Sequence, residues 1–308
     1  MSSDKPRSYL RVRDLSIERT QVLFSRATEI KSLLQSKQKI TSLQGKQVVL
    51  FFSEASTRTK MSFQMAAQRL GAQCLMVDDM LSSSMSKGET FADTYWTLHA
   101  LRPDLIVVRC DGDSPLDEVA EKTESPIING GFGSLAHPTQ ALLDVFTLRE
   151  NFSSLDGLRV LLVGDIDHSR VAASDIRLLK DLGAEVRICA PDVFNQKNSF
   201  GLENFTDLNK AIAWCQIYMG LRVQFERHGT DTNASLSKEQ FVDRFSLSQE
   251  RLKYLSSDAI IMHPGPVNWG IEFQEEVARD LRFRMWQQKE NGVYVRAALM
   301  EALLKEKA

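Results

Sequence analysis

An α/β protein built from two doubly wound parallel-sheet domains, with a ligand cleft between them, is the fold class that the sequence predicts. Three observations carry that expectation. Short continuous apolar runs alternate with helix-period segments, as in a parallel sheet covered on both faces. The alternation pauses near residue 150 and then restarts at Leu158. The length of 308 residues fits one large domain or two of about 150 each, and the restart favours two.

The elements follow in order. Between Asp14 and Leu34, Leu23, Ala27, Ile30 and Leu34 recur at helical spacing and mark a first helix. Four β-like runs come next: 47–52 (QVVLFF), 73–77 (QCLMV), 104–108 (DLIVV) and 126–128. Helix-period segments at 62–70 and 90–98 separate them, the first closed by Gly71. A linking helix is expected over 137–150, with Pro138 at its first position. The second half repeats the scheme with strands at 158–163, 185–190, 212–218 and 259–262. A terminal helix spans 293–304, its stripe made by Val295, Ala298, Leu299, Ala302 and Leu303.

Composition excludes several classes. Lys plus Arg is 38 against 40 Asp plus Glu, a net charge of −2, so a general nucleic-acid or membrane-surface binder is not expected. Any strong positive field must be local. The first ten residues have no apolar core of a secretory signal, and no run approaches the ~18 residues of a spanning helix. Cys74, Cys110, Cys189 and Cys215 form no CxxC pair, and three of them fall in strand-like runs. Reduced, buried thiols of a cytoplasmic protein are the reading, not a disulfide frame or a metal site.

In open α/β sheets, ligands bind outside the carboxyl ends of the strands. The unusual polar clusters fall there. After Phe52 come Ser53-Glu54-Ala55-Ser56-Thr57-Arg58-Thr59-Lys60 and then a helix. Hydroxyls, a guanidinium fork and free helix N–H donors in one turn make a phosphate site, although an ordinary capped helix start has similar residues. Arg109 follows another strand, a place where surface arginines are also common. The segment from Asn129 through the glycines to His137-Pro138-Thr139-Gln140 puts His137 and Gln140 on one helix face. A capping or packing histidine is the plain alternative there. No Ser/His/Asp or Cys/His nucleophile stands beside it. In the second half, Gly164-Asp165-Ile166-Asp167-His168-Ser169-Arg170 lacks the GxGxxG needed for dinucleotide binding. Arg222 and Gln224 follow another apolar strand. His263-Pro264-Gly265-Pro266-Val267-Asn268 follows the last one, with rigid carbonyl oxygens suited to reading an NH2 group.

Together, Ser56-Thr57-Arg58-Thr59, His137-Pro138-Thr139-Gln140, Leu221-Arg222-Val223-Gln224 and His263-Pro264-Gly265-Pro266-Val267-Asn268 resemble aspartate carbamoyltransferase catalytic chains, in order from about residue 8 to the C-terminus. The resemblance implies a carbamoyl-phosphate domain over 1–150, with a C-terminal helix (291–308) packing back on it, and an aspartate domain over 151–290. By position, Ser56, Thr57, Arg58, Thr59 and Arg109 would hold the phosphate. Thr59, Arg109 and His137 would hydrogen-bond the carbamoyl oxygen. Gln140 and the carbonyls of Gly265 and Pro266 would take its amino group. Arg170, Arg222 and Gln224 would grip the carboxylates of aspartate. Ser83 and Lys87 resemble residues that reach a neighbouring subunit's site, which implies a homotrimer with shared sites. Thr59, Lys87, Arg109 and His137 would be catalytic, and no cofactor is implied. Carbamoyl phosphate and aspartate are both anionic, and Arg58, Lys87, Arg109, Arg170 and Arg222 supply five cations.

The pattern departs from the family at Trp269, where Arg is common, at Ala173-Ser174-Asp175 and at Phe132. These departures bear on the strength of aspartate binding and keep open a non-catalytic homologue. A carbamoyltransferase with another acceptor, such as ornithine, is the nearer alternative. Against ornithine, the chain has His263-Pro264-Gly265-Pro266 and Arg222-Val223-Gln224 in place of that family's motifs. Whether a regulatory chain or a dihydroorotase partner joins the trimer is left open by the sequence.

Overall fold

The computed structural model describes residues 8–305, apart from 55, 78–87, 113, 134, 198, 224 and 226–235. The chain forms two units, one of residues 1–146 with 290–308 and the other of 147–289. Both divisions fall inside helices.

In the first unit, α1 (Ile17–Gln35) starts at Ser16, whose hydroxyl accepts from the Arg19 N–H. It buries Leu23, Phe24, Ala27 and Ile30 along one stripe. Four strands follow, β1 (Gln47–Phe52), β2 (Gln73–Val77), β3 (Leu105–Cys110) and β4 (Ile127–Phe132), with α2 (Thr57–Arg69), α3 (Phe91–Ala100) and α4 (Leu116–Lys122) between them. The sheet is parallel, in the order β2-β1-β3-β4. All of β4 is buried, and so is β1 after Gln47, which is why β1 reads as an unbroken apolar run. Then α5 (Pro138–Asn151) leaves the sheet.

The second unit contains β5 (Arg159–Val163), α6 (Arg170–Asp181), β6 (Glu185–Cys189), α7 (Leu208–Trp214), β7 (Ile217–Gly220), α8 (Lys238–Phe245) and β8 (Ile260–Met262). Its sheet is again parallel, in the order β6-β5-β7-β8. Its core is aromatic: Phe194, Tyr218, Phe241 and Phe273 are all fully buried. The last helix, α9 (Met285–Lys305), returns to the first unit. There Arg26 of α1 grips Glu301 through Nε at 2.5 Å and Nη2 at 2.9 Å, and Lys31 donates to Asn291.

Several boundaries differ from the sequence expectation. The run 212–218 is not one strand: Ile212 belongs to α7 and the strand starts at Ile217. Helix and strand are both buried there, so apolar residues continue across the turn at Cys215-Gln216. Cys215 therefore follows a helix, whereas Cys74, Cys110 and Cys189 lie on strands. The terminal helix starts at Met285, eight residues before 293, because Gln288 and Asn291 are buried polar residues that interrupt the apolar stripe. Strand β4 runs on to Phe132 through two glycines, which lack apolar character but are fully buried. Among the described residues, no helix is long and apolar enough to cross a membrane.

Candidate active site

The carboxyl ends of β1, β3 and β4 lie side by side in the first sheet, and each carries polar residues. Phe52 pairs with Arg109 across β1 and β3. The Ser53 N–H and hydroxyl both donate to the Arg109 carbonyl, at 2.9 and 3.2 Å, so the segment leading into α2 is tied to β3. Ser56 precedes α2 in extended conformation, and its side chain makes no cap hydrogen bond to the helix. Thr57 and Arg58 are exposed, while Thr59 is buried. A helix start carrying hydroxyls and a guanidinium presents N–H donors and positive charge to an anion.

The Arg109 guanidinium is mostly buried. Nη1 donates to the Gly130 carbonyl at 3.3 Å, and Nε lies 3.5 Å from Glu54 Oε2. β4 ends in a turn that Asn129 shapes: Nδ2 donates to the Leu10 carbonyl and Oδ1 accepts from the Gly131 N–H. Gly133 then adopts φ +47° with its Cα face against Gly112, where a Cβ would come within 2.5 Å of backbone. Only glycine fits that turn. Across that turn the Phe132 N–H donates to the Ala136 carbonyl, just before His137 at the entry to α5. His137 and Gln140 are both buried, and Gln140 Nε2 donates to Asp144 Oδ1 at 2.9 Å.

In the second sheet, β5 and β7 are neighbours. Gly164 at φ +129° lets the Leu221 carbonyl approach to where a Cβ would be 2.6 Å away. Ser169 caps α6 by accepting from the Ala172 N–H, and Arg170 is the first helical residue. Arg222 follows β7, and the next N–H, of Val223, donates to Glu272 Oε1 at 2.8 Å. Glu272 also accepts from Asn268 N–H at 2.6 Å and Asn268 Nδ2 at 2.9 Å. It thereby ties the strand exit carrying Arg222 to the loop after β8. Burial pushes its carboxyl up to about 7, against the pull of those donors. In that loop His263 Nδ1 accepts from the Gly265 N–H, Gly265 is half-buried and Pro266 is exposed. Ser83, Lys87 and Gln224, expected at the site from the sequence, lie outside the described residues.

The three departures have local settings. Trp269 packs near Phe273 and Phe283, with ring centroids 6.4 and 6.3 Å away. Phe132 belongs to the apolar core around Phe51 and Tyr95. Ser174 and Asp175 are buried on α6, and Ala173 is half-buried.

Two sequence profiles match in series. The one described as aspartate/ornithine carbamoyltransferase, carbamoyl-P binding domain, covers residues 7–150, and the one for the Asp/Orn binding domain covers 156–303. The chain belongs to the aspartate/ornithine carbamoyltransferase family. Among family members, an aspartate carbamoyltransferase catalytic subunit of Pelagibacter ubique is 41% identical over 95% of this chain and 94% of its own. One from Helicobacter pylori is 39% identical over 97% and 98%. A Trypanosoma cruzi aspartate transcarbamoylase, solved with carbamoyl aspartate and phosphate, superposes with a TM-score of 0.87 at 27% identity, covering 98% of this chain and 97% of that one. The catalytic subunit of M. jannaschii aspartate transcarbamoylase gives 0.85 at 27%, over 97% and 98%.

Four residues beyond the sequence-derived set of this carbamoyltransferase bear on the polar groups: Glu54 beside Arg109, Asp144 behind Gln140, Glu272 behind Arg222 and Arg296 on α9. A lone Asp four residues after Gln140, inside the apolar run Ala141–Phe146, was a readable signal for the second. Glu54 stands in the polar cluster after Phe52, but its pairing with Arg109, that of Glu272 with Val223 and that of Arg296 with Ser62 join residues far apart in sequence, so nothing local signals them.

Proposed function

We propose that this chain transfers the carbamoyl group of carbamoyl phosphate to the amine of L-aspartate, giving N-carbamoyl-L-aspartate and phosphate, in pyrimidine biosynthesis. The observation that carries the reading is that the start of α2, Arg109 and the start of α5 lie at or after the carboxyl ends of three adjacent parallel strands. Relatives named aspartate carbamoyltransferase, and a structural neighbour solved with both carbamoyl phosphate and aspartate, support it.

Ser56, Thr57, Arg58, Thr59 and Arg109 hold the phosphate. Thr59, Arg109 and His137 direct donors at the carbamoyl oxygen, where negative charge grows as the amine attacks. Pre-aimed donors of this kind are usually the largest source of rate. Gln140, with the carbonyls of Gly265 and Pro266, takes the carbamoyl NH2. Arg170, Arg222 and Gln224 take the two carboxylates of aspartate, and two cations facing the acceptor favour it over ornithine. Holding both reactants together removes much of the entropic barrier. The leaving phosphate is the acceptor for the amine proton. Ser83 and Lys87 act in a neighbouring subunit's site, the enzyme being a cytoplasmic homotrimer.

Purified protein given carbamoyl phosphate and L-aspartate is expected to release carbamoylaspartate and phosphate in equal amounts. Retained carbamoyl-phosphate binding without product would sink the assignment in favour of a non-catalytic homologue. The trimer is checked by light scattering, which should give three times the 34.8 kDa chain mass. Mixing Lys87→Ala with Arg109→Ala protein should restore part of the lost activity, as shared sites require.

A further inference from the structure

We infer that Asp144 is a specificity residue for the donor substrate: it orients the Gln140 amide so that the site reads an NH2 group, and Arg296 supports its charge. The inference rests on the proposed role of Gln140 and deepens it.

An amide side chain can present either a donor or an acceptor, and its neighbours decide which. Gln140 and Asp144 are four residues apart on α5, so they share a face. A carboxylate only accepts, and Gln140 Nε2 donates to Asp144 Oδ1 at 2.9 Å. Nε2 keeps a second N–H, but holding it against Asp144 fixes which way the amide is turned, so the carbonyl oxygen lies on the side away from Asp144. An acceptor there favours the NH2 of a carbamoyl group and gives nothing to a methyl group in the same position.

That arrangement requires Asp144 to stay ionised although it is 1% exposed. Its neighbours on α5, Leu142, Leu143, Val145 and Phe146, are buried apolar side chains. The compensating charge comes from α9. Arg296 is 3% exposed, its Nη1 donates to Ser62 Oγ of α2 at 2.6 Å, and its guanidinium lies 4.9 Å over the Phe63 ring. Burial opposes its charge, the field of Asp144 supports it, and that of Arg109 opposes it. Buried charge pairs seldom stabilise a fold more than apolar side chains of the same size would. Orienting Gln140 is a function that an apolar pair could not perform.

Carbamoyl phosphate and acetyl phosphate differ only by NH2 against CH3, so their ratio isolates this contact. The experiment measures kcat/KM with each donor, and equilibrium binding of each donor alongside. Asn at position 144 can accept from Gln140 or donate to it, so the amide is no longer held one way. Asp144→Asn should lower the carbamoyl-to-acetyl ratio about tenfold, the effect of one ordinary hydrogen bond. Gln140→Leu should lower the ratio similarly, and adding Asp144→Asn to it should change the ratio no further. Asp144→Asn with Arg296→Gln removes both buried charges and gives the same reading where the single variant folds poorly. An unchanged ratio, or an equal fall for both donors, overturns the inference. Failure of the native protein to make carbamoylaspartate would overturn the proposed function instead, and the binding ratio would still test Asp144.

Discussion

The first sheet runs β2-β1-β3-β4 and the second β6-β5-β7-β8, one topology used twice, yet the two units bury charge in different ways. In the first, the field of buried Asp144 supports the charge of buried Arg296, and Arg26 meets the buried Glu301 in a two-point contact. In the second, Glu272 is held by three N–H donors, and its carboxyl is pushed up to about 7. The lesson is that one scaffold can set a charged group in either of two ways. A cation opposite keeps a buried carboxylate ionised, whereas amide donors alone offset only part of its desolvation.

The sharpest way to break this comparison is to remove a central cation of the first unit. Arg109→Ala should lower kcat by about 10²–10³, with little change in the aspartate requirement, because it removes a donor used at the developing charge. Steady-state kinetics decide it, and a change confined to the aspartate KM would contradict the assignment.

Glu272 tests the second unit. Its folded-state value, about 7, lies above the ordinary 4.5, so folding favours the protonated form. Its contribution to stability is therefore full below pH 4.5 and is lost as pH rises through about 7. The loss approaches about 3 kcal/mol. Thermal unfolding at pH 5 and pH 8 should show a steeper decline for the native chain than for Glu272→Gln. Parallel declines would remove Glu272 from the account.

Next in size, Arg222→Ala should raise the aspartate KM by about 10–100-fold while carbamoyl-phosphate binding changes little, as expected for losing charge-assisted bonds to one substrate. Equal use of ornithine and aspartate by the native enzyme would refute the acceptor assignment. The smallest effects compare the units' ion pairs. Arg26→Ala should cost about 1.5 kcal/mol, since it leaves the buried Glu301 short of donors. Lys253→Ala, which removes the exposed partner of Glu250, should change stability by less than about 0.5 kcal/mol. Chemical denaturation of both variants checks the pair, and equal costs would show that burial is not what separates them.

Much of the fold was legible because parallel strands buried on both faces leave continuous apolar stretches, as at 48–52, 105–108 and 160–163. Where a buried helix runs straight into a buried strand, at Ile212 to Ile217, hydropathy could not separate them. Short helices such as α4 and α8 were missed because seven or eight residues hold barely two turns of pattern. Of the candidate site, Arg58, His137 and Gln140 stand out at helix starts and Arg109 inside the end of β3, one residue beyond the expected strand, and each is a polar residue that breaks the local pattern.

The sequence by itself determined the alternation of buried strands and helices, the polar residues at the strand ends and the family those motifs resemble, because each is a property of neighbours along the chain. Only the tertiary structure decided that Arg296, more than 150 residues beyond Gln140, lies close enough for its charge to act on Asp144. It likewise decided that Glu272 fastens the residue after Arg222. The physical reason is that a charge acts through distance and burial, and both are settled by packing.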